Sequence, residues 1–166
     1  MCGFRPRFSW ITSTAGSIND DAADLVADLT GDGKPELVCT REGMYGYAQP
    51  NFKDFEPWVF KRISGKVTTE KFGHALGFGD VDGDGKNDLL TKDGWFRNPG
   101  AEKDVLWAFE PFAFCEPGGA DMHAYDVDGD GLNDVITSLD AHAFGLVWWK
   151  QQRDAAGKIS FLEKRI

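Results

Sequence analysis

An acidic segment that occurs three times constrains this chain more than any other feature. The copies are "ADLTGDGKPELVCT", "GDVDGDGKNDLLTK" and "YDVDGDGLNDVITS", and in each the acidic residues lead directly into a short apolar run. Their first aspartates are Asp28, Asp80 and Asp126, which lie 52 and 46 residues apart. A repeat of this length indicates an array of similar structural units, each built around one acidic loop.

Two further series recur with the acidic segment. An aromatic series reads "GMYGYAQP", "GWFRNPG" and "GLVWWKQQ", and a later series reads "KDFEPWVF", "KDVLWAF" and "RDAAGKISF". The apolar runs are short, rich in Val, Ile, Leu, Phe and Trp, and bounded by turn residues, which is typical of β-strands. No segment sustains a helical apolar stripe over three turns. A period near fifty with about four short strands predicts β-propeller blades.

Composition narrows the classes of protein that the chain can represent. Its 166 residues, 42% of them hydrophobic, are enough for one domain with a real core and argue against disorder. The net charge of −9 argues against a nucleic-acid partner and against an anionic membrane surface. Neither a transmembrane helix nor a signal peptide is visible in the sequence. The three cysteines form no disulfide or zinc pattern, and we interpret Cys39 and Cys115 as small core residues.

The acidic loop has the residue types of a calcium site but not the pattern of an EF-hand. Calcium takes about six to eight oxygen ligands, and an EF-hand places glycine at loop position 6 and glutamate at position 12. Counting from the first aspartate, the position-6 residues are Gly33, Gly85 and Gly131. The position-12 residues are Cys39, Thr91 and Thr137. The last acid comes at position 9, immediately before a strand-type run. We therefore predict a calcium loop that closes in nine residues.

Each loop offers side chains at positions 1, 3, 5 and 9 and a backbone carbonyl at position 7. The predicted Ca²⁺ ligands are Asp28, Thr30, Asp32, Lys34 and Glu36 in loop one, Asp80, Asp82, Asp84, Lys86 and Asp88 in loop two, and Asp126, Asp128, Asp130, Leu132 and Asp134 in loop three. Loop one is the weakest because a threonine replaces one carboxylate. The alternative is an acidic turn without metal. Three copies in the same strand context favour calcium.

Two stretches resemble the FG-GAP/VCBS repeat family, the integrin-α-like β-propellers. They are "FGHALGFGDVDGDGKNDLL" and "AYDVDGDGLNDVI". Phe72-Gly73 matches the opening of the family motif, whereas the closing Gly-Ala-Pro is replaced by "DGWFRNPG" and "FGLVWWKQ", as in the bacterial VCBS-type variant. The resemblance implies four-stranded antiparallel blades, a usually structural calcium ion in each loop, and ligands that bind elsewhere on the ring. It also implies a secreted or cell-surface protein.

Together these features predict an all-β chain with β-propeller blades of four antiparallel strands. We expect about three blades in an incomplete ring, with approximate repeats at 20–65, 72–115 and 118–166 of a single domain over 1–166. The family's rings hold more blades than this. The remaining blades would come from a parent chain or from self-association, and the fragment is favoured because the chain ends mid-pattern.

The predicted function is a calcium-stabilised interaction module for a protein or glycan, not an enzyme. A lectin is one alternative, because the pairs Trp95-Phe96 and Trp148-Trp149 could each expose one ring for sugar stacking. The competing interpretation is that these rings pack between blades. The matching positions of Trp58 and Trp107 across the repeats favour packing.

A fragment of a propeller polysaccharide lyase is the second alternative. It would need a base such as His123 or His142 beside Arg153, and nothing in the sequence brings them together. A zinc site formed by His74, His123 and His142 is less consistent with the sequence, because they come from two repeats without paired spacing. Loop or core histidines bonded to neighbouring backbone fit better. The identity of the ligand and the total number of blades stay open at this stage.

Overall fold

The chain folds into three successive four-stranded antiparallel meanders, which we number as blades 1 to 3. The computed structural model describes residues 25–49, 58–67, 75–100, 105–116, 119, 121–140 and 145–166. Blade 1 contains β1 (Leu25–Ala27), β2 (Glu36–Arg41), β3 (Met44–Gln49) and β4 (Val59–Arg62); blade 2 contains β5 (Leu76–Gly79), β6 (Asp88–Thr91), β7 (Gly94–Arg97) and β8 (Ala108–Pro111); blade 3 contains β9 (Met122–Tyr125), β10 (Asp134–Ser138), β11 (Leu146–Arg153) and β12 (Ile159–Arg165).

These meanders confirm the predicted all-β fold with about three propeller blades in an incomplete ring. Consecutive strands within each blade pair antiparallel, in the order of the sequence. No helix occurs in the ranges that the structure describes, and so none there is long and apolar enough to cross a membrane. The strands of each blade lie within the corresponding predicted repeat.

The core lies between the blades, and the middle blade contributes to both halves of it. On β6 and β7, Leu89 and Phe96 pack in the cluster shared with blade 1, whereas Leu90 and Trp95 pack in the cluster shared with blade 3. This division follows from strand geometry, because neighbouring side chains point to opposite faces of a sheet. All four residues of β6 are therefore buried. The outer strands β4, β8 and β12 are mostly exposed.

The aromatic predictions are resolved by the same packing. Trp95 and Phe96 are both buried, one on each face of blade 2, so packing between blades is the correct interpretation for this pair. Trp107 is also buried, and its backbone amide donates to the carbonyl of Ile63 in blade 1 at 2.9 Å. The prediction that Trp58 packs similarly is wrong, since its side chain is 40% exposed. Among the described residues, no blade lies on that side of blade 1.

Two glycines of β5, Gly77 and Gly79, allow blades 2 and 3 to share one continuous sheet. Strands β5 and β9 pair in parallel through two residue pairs, Gly77 with Met122 and Phe78 with His123. A Cβ atom on Gly77 would lie 2.0 Å from the Met122 carbonyl oxygen, so any side chain there would prevent the pairing. The corresponding residue of β1 is Leu25, and the described part of β1 forms no ladder with β5.

Candidate metal centres

Each acidic loop brings three carboxylate groups together at the same place in its blade. One oxygen atom from each of the three lies within 4.8 Å of the other two. The clusters are Asp28, Asp32 and Glu36 in loop one, Asp80, Asp82 and Asp88 in loop two, and Asp126, Asp128 and Asp134 in loop three. Three converging carboxylates form an all-oxygen donor set, which suits a hard divalent cation.

The position-1 aspartate holds the loop in its curled shape. The Oδ1 atom of Asp80 accepts hydrogen bonds from the amides of Gly83 at 2.7 Å and Asp84 at 3.0 Å, and its Oδ2 atom accepts one from Gly85 at 2.9 Å. Loops one and three repeat all three bonds. The turn that was the alternative to a metal site is thus present, and it aims the carboxylates at one point.

Glycine is required at position 6 because of the backbone conformation there, not because a side chain would clash with a neighbouring atom. Gly33, Gly85 and Gly131 have φ angles of 81°, 84° and 86°, in the left-handed region that residues with a side chain rarely adopt. A Cβ atom added at any of the three would meet no other atom within 4 Å. The glycine therefore serves the sharp turn and leaves the outside of the loop open.

The position-9 carboxylate connects the loop to the interior of the blade. Asp88 and Asp134 have no solvent exposure, and each accepts two backbone hydrogen bonds. The Oδ2 atom of Asp88 accepts from the amide of Val81 at 2.9 Å, and its Oδ1 atom accepts from the amide of Asn98 at 2.8 Å. Burial nevertheless raises the pKa of Asp88 to about 7. A cation beside this group would offset the unfavourable burial of its negative charge.

Loop one reaches the same arrangement with a longer side chain. The Oε2 atom of Glu36 accepts from the amides of Leu29 at 2.9 Å and Thr30 at 3.1 Å. Its Oε1 atom accepts from the hydroxyl of Thr30 and from Nε2 of Gln49, each at 3.2 Å. Thr30 thus lies beside the cluster and hydrogen-bonds one of its carboxylates.

Some predicted ligands lie next to the clusters and not within them. Asp84 and Asp130 accept backbone hydrogen bonds from Lys86 and Leu132, the position-7 residues, at 3.0 and 2.9 Å. Asp84 also pairs with the Lys86 ammonium group. In loop one the position-7 residue is Lys34, whose amide donates to Asp32 at 2.9 Å.

The comparison with protein families bears on these loops directly. Residues 28–91 match the family model of the FG-GAP-like repeat. Residues 28–91 are thus similar to an FG-GAP-like repeat. This finding confirms the resemblance seen in the sequence, and the match spans loops one and two. No curated protein and no solved structure matches the chain.

Side-chain amides connect the loops of successive blades, and sequence reasoning missed them. Between blades 1 and 2, Nδ2 of Asn87 donates to the carbonyl of Asp28 at 2.9 Å. Nδ2 of Asn98 donates to the carbonyl of Leu29 at 2.9 Å. The first two carbonyls of loop one are therefore bound by the following blade.

The next pair of blades repeats this arrangement. Nδ2 of Asn133 donates to the carbonyl of Asp80 at 2.6 Å, and Nε2 of Gln151 donates to the carbonyl of Val81 at 2.9 Å. We call these four side chains, Asn87, Asn98, Asn133 and Gln151, the inter-blade amides. Two of them occupy loop position 8, where the repeated "ND" of loops two and three was a visible signal.

Cations from the third strands of blades 2 and 3 also reach the loops of those blades. Nε of Arg97 lies 3.1 Å from Oδ2 of Asp82, and Nζ of Lys150 contacts the carboxylates of Asp128 and Asp130. Both cations extend toward their loop from strands β7 and β11. A metal ion at these loops would compete with them for the position-3 carboxylate.

The remaining candidate residues do not assemble a second site in the described part of the chain. His123 lies exposed on β9, whereas His74 and His142 lie outside the described residues. Arg153 donates to the carbonyl of Asp82 at 2.8 Å and to Oε1 of Gln151 at 3.0 Å, so it supports loop two. Cys39 is buried, and burial raises the pKa of the half-buried Cys115 thiol to about 11.

Proposed function

We propose that this chain is a calcium-binding β-propeller interaction module of the FG-GAP type, with structural Ca²⁺ in its D-x-D-x-D-G-x-x-D loops. The observation that carries the proposal is the carboxylate cluster repeated at the same position of three blades. A single acidic turn occurs often without metal. Three clusters that share a position-1 aspartate and a buried position-9 carboxylate are the arrangement expected of a cation site.

The donor chemistry supports calcium as the ion. Each cluster offers carboxylate oxygens, to which carbonyl and water oxygens would be added around a bound ion. Calcium accepts such irregular sets of about six to eight oxygens, whereas magnesium requires near-ideal octahedral geometry. The residues that would hold the ion are the position-1 and position-9 carboxylates with Asp32, Asp82 or Asp128. The ion would supply positive charge and no chemical step.

The proposed role of calcium is to couple the blades. The carbonyls of Asp28 and Asp80 accept hydrogen bonds from the next blade, while the side chains of the same residues belong to the clusters. An ion that fixes such a loop also fixes the acceptors that the following blade uses. Binding to the folded state alone stabilises it by about 2.7 kcal/mol per site at a hundredfold excess over Kd.

We further propose that the module acts outside the cell or at the cell surface and that its ligand is a protein or a glycan. The similarity of residues 28–91 to an FG-GAP-like repeat supports this location. The proposal is also consistent with the weak calcium affinities of extracellular modules, whose Kd values are roughly 10⁻⁴ to 10⁻³ M. The proposal includes no catalytic residue. Arg153, the cation of the lyase alternative, is engaged with loop two.

Thermal unfolding in millimolar calcium and in chelator tests the metal assignment. Calcium is expected to raise the midpoint of the wild-type chain, with magnesium less effective. Asp128→Asn should lose part of this rise, because Asp128 belongs to a cluster. Asp121→Asn is the matched control: it removes the same charge from an exposed residue outside the clusters. An unchanged wild-type midpoint would refute calcium binding.

The interaction role needs separate measurements. A glycan array distinguishes a lectin from a protein-binding module, and release of unsaturated product from uronate polymers would identify a lyase. We expect no such release. Its appearance would overturn the non-enzymatic part of the proposal while leaving the calcium sites intact.

A further inference from the structure

One position of the third strand places a side chain beside the acidic loop in each of the three blades. The strand partners of loop position 10 are Ala48, Phe96 and Trp149, and the residues that follow them are Gln49, Arg97 and Lys150. Gln49 donates from Nε2 to Oε1 of Glu36 at 3.2 Å. The same position is therefore filled by a neutral amide at loop one and by a cation at loops two and three.

Lys150 engages two carboxylates of loop three at once. Its ammonium group contacts Asp128, a member of the carboxylate cluster, and lies 2.8 Å from Oδ2 of Asp130. The side chain of Lys150 is only 24% exposed, so both ion pairs are partly shielded from solvent. The ammonium group thus occupies a place beside the cluster that a metal ion would also require.

We propose that Lys150 is a tethered counter-cation of loop three, which neutralises the carboxylates of the metal-free loop and is displaced from Asp128 when calcium binds. This role presupposes the calcium binding proposed above. Loop three crowds four aspartates into nine residues, and a cation beside them lowers their mutual repulsion. Because the ammonium group and a metal ion require the same Asp128 carboxylate, each weakens the binding of the other. Lys150 therefore lowers the calcium affinity of loop three.

Lys150 has a second contact that it can keep when it leaves the carboxylates. Its Nζ atom lies 5.9 Å from the centre of the Trp148 ring, a distance at which a cation is attracted to an aromatic face. Arg97 in blade 2 has the same two kinds of contact, with Asp82 at 3.1 Å and with the ring of Trp95 at 5.4 Å. The Arg97 side chain is 46% exposed, so we expect it to compete with calcium less than Lys150 does.

Lys150→Met tests this role, because methionine keeps a long, unbranched side chain and removes the charge. Lys164→Met is the matched control, since it removes the same charge from an exposed residue of β12. In an NMR titration with calcium chloride, the position-6 amides report each loop separately, because each donates to the position-1 aspartate of its own loop; they belong to Gly33, Gly85 and Gly131. We expect Lys150→Met to tighten calcium binding at loop three about two- to fivefold, as the strength of a partly exposed ion pair implies. Loops one and two should keep their wild-type affinities.

Thermal unfolding in chelator measures the role of Lys150 in the metal-free chain. Lys150→Met should lower the midpoint by about 1 to 3 °C relative to Lys164→Met, because loop three then lacks its counter-cation. In saturating calcium this difference should disappear, because the ion supplies the positive charge instead.

The reciprocal substitution places a cation at loop one. Gln49→Lys should weaken calcium binding at loop one relative to Gln49→Met, which removes the amide without adding a charge. This pair also provides a second test if the Lys150→Met chain does not fold.

Failure of the counter-cation role and failure of calcium binding give different results. If calcium binds the wild-type chain but Lys150→Met changes neither the affinity of loop three nor the midpoint in chelator, the counter-cation role is wrong and the calcium sites stand. If calcium shifts none of the position-6 amides of the wild-type chain, calcium binding is wrong, and displacement of Lys150 by the ion is refuted with it.

Discussion

Replacing Gln151 with alanine should uncouple blade 3 from blade 2. Gln151 is 1% exposed, and its Nε2 atom donates to the carbonyls of Val81 at 2.9 Å and Asn133 at 2.5 Å. Its Oε1 atom accepts from Nε of Arg153 at 3.0 Å. Truncation leaves two carbonyls without a donor, at about 1 to 3 kcal/mol for each buried unsatisfied group.

We expect the free energy of unfolding to fall by about 2 to 4 kcal/mol, the lower end applying if water reaches the cavity. Urea denaturation in saturating calcium measures this change. Gln152→Ala is the matched control, because Gln152 is the exposed neighbour on the same strand. Its effect should stay within about 0.5 kcal/mol. If the two variants are equally stable, the inter-blade amides do not hold the blades together.

A related readout is the amide exchange of blade 3 in the Gln151→Ala chain. If the two blades separate locally, the protected amides of β9 and β10 should exchange faster, whereas those of β2 and β3 in blade 1 should keep their wild-type rates. Uniform acceleration across all three blades would indicate global destabilisation and would contradict a role specific to this interface.

Three further predictions concern the loops and the shared sheet. Burial raises the pKa of Asp88 from 3.8 to about 7, so the folded chain binds more protons than the unfolded chain between these pH values. In chelator, the free energy of unfolding should therefore fall by up to about 4 kcal/mol as the pH rises from 3.8 to about 7. Denaturation at several pH values measures this slope, and Asp88→Asn should flatten it. Thr30→Asp should tighten calcium binding at loop one, measured by calorimetry, because it adds a carboxylate ligand. If loop one of the wild-type chain already binds calcium more tightly than loops two and three, the number of carboxylates does not determine the affinity. Gly77→Ala should destabilise the chain by about 1 to 3 kcal/mol or more in thermal unfolding, because the added Cβ would overlap the Met122 carbonyl. Gly65→Ala is the control and should have a small effect, because a Cβ added there meets no atom within 4 Å. Equal effects of the two substitutions would refute the close packing of β5 against β9.

Local features of the chain were predictable from the sequence. The curl of each loop depends on residues within nine positions of one another, chiefly the position-1 aspartate and the glycine at position 6. The strands that follow are hairpin neighbours, so their order also follows from short-range chemistry. This is why the blade count, the antiparallel meander and the nine-residue loop could all be deduced before any coordinates.

Contacts between blades were not predictable in the same way. Asn87 meets Asp28 across 59 residues of sequence, and Gln151 meets Val81 across 70. The exposure of Trp58 and the burial of Trp107 differ although their local sequences match. Each outcome depends on whether another blade covers the residue, and nothing within the residue's own repeat encodes that.

The sequence by itself thus determined the repeating unit: an acidic loop with a position-6 glycine, followed by strands whose apolar residues require burial. Tertiary structure decided which carboxylates converge, since Asp84 and Asp130 lie outside clusters that include Asp82 and Asp128. It also decided how the units join, because Gly77 gains its importance only from the approach of Met122. Loop conformation depends on neighbouring residues along the chain, whereas the contacts between blades depend on residues that folding brings together from distant repeats.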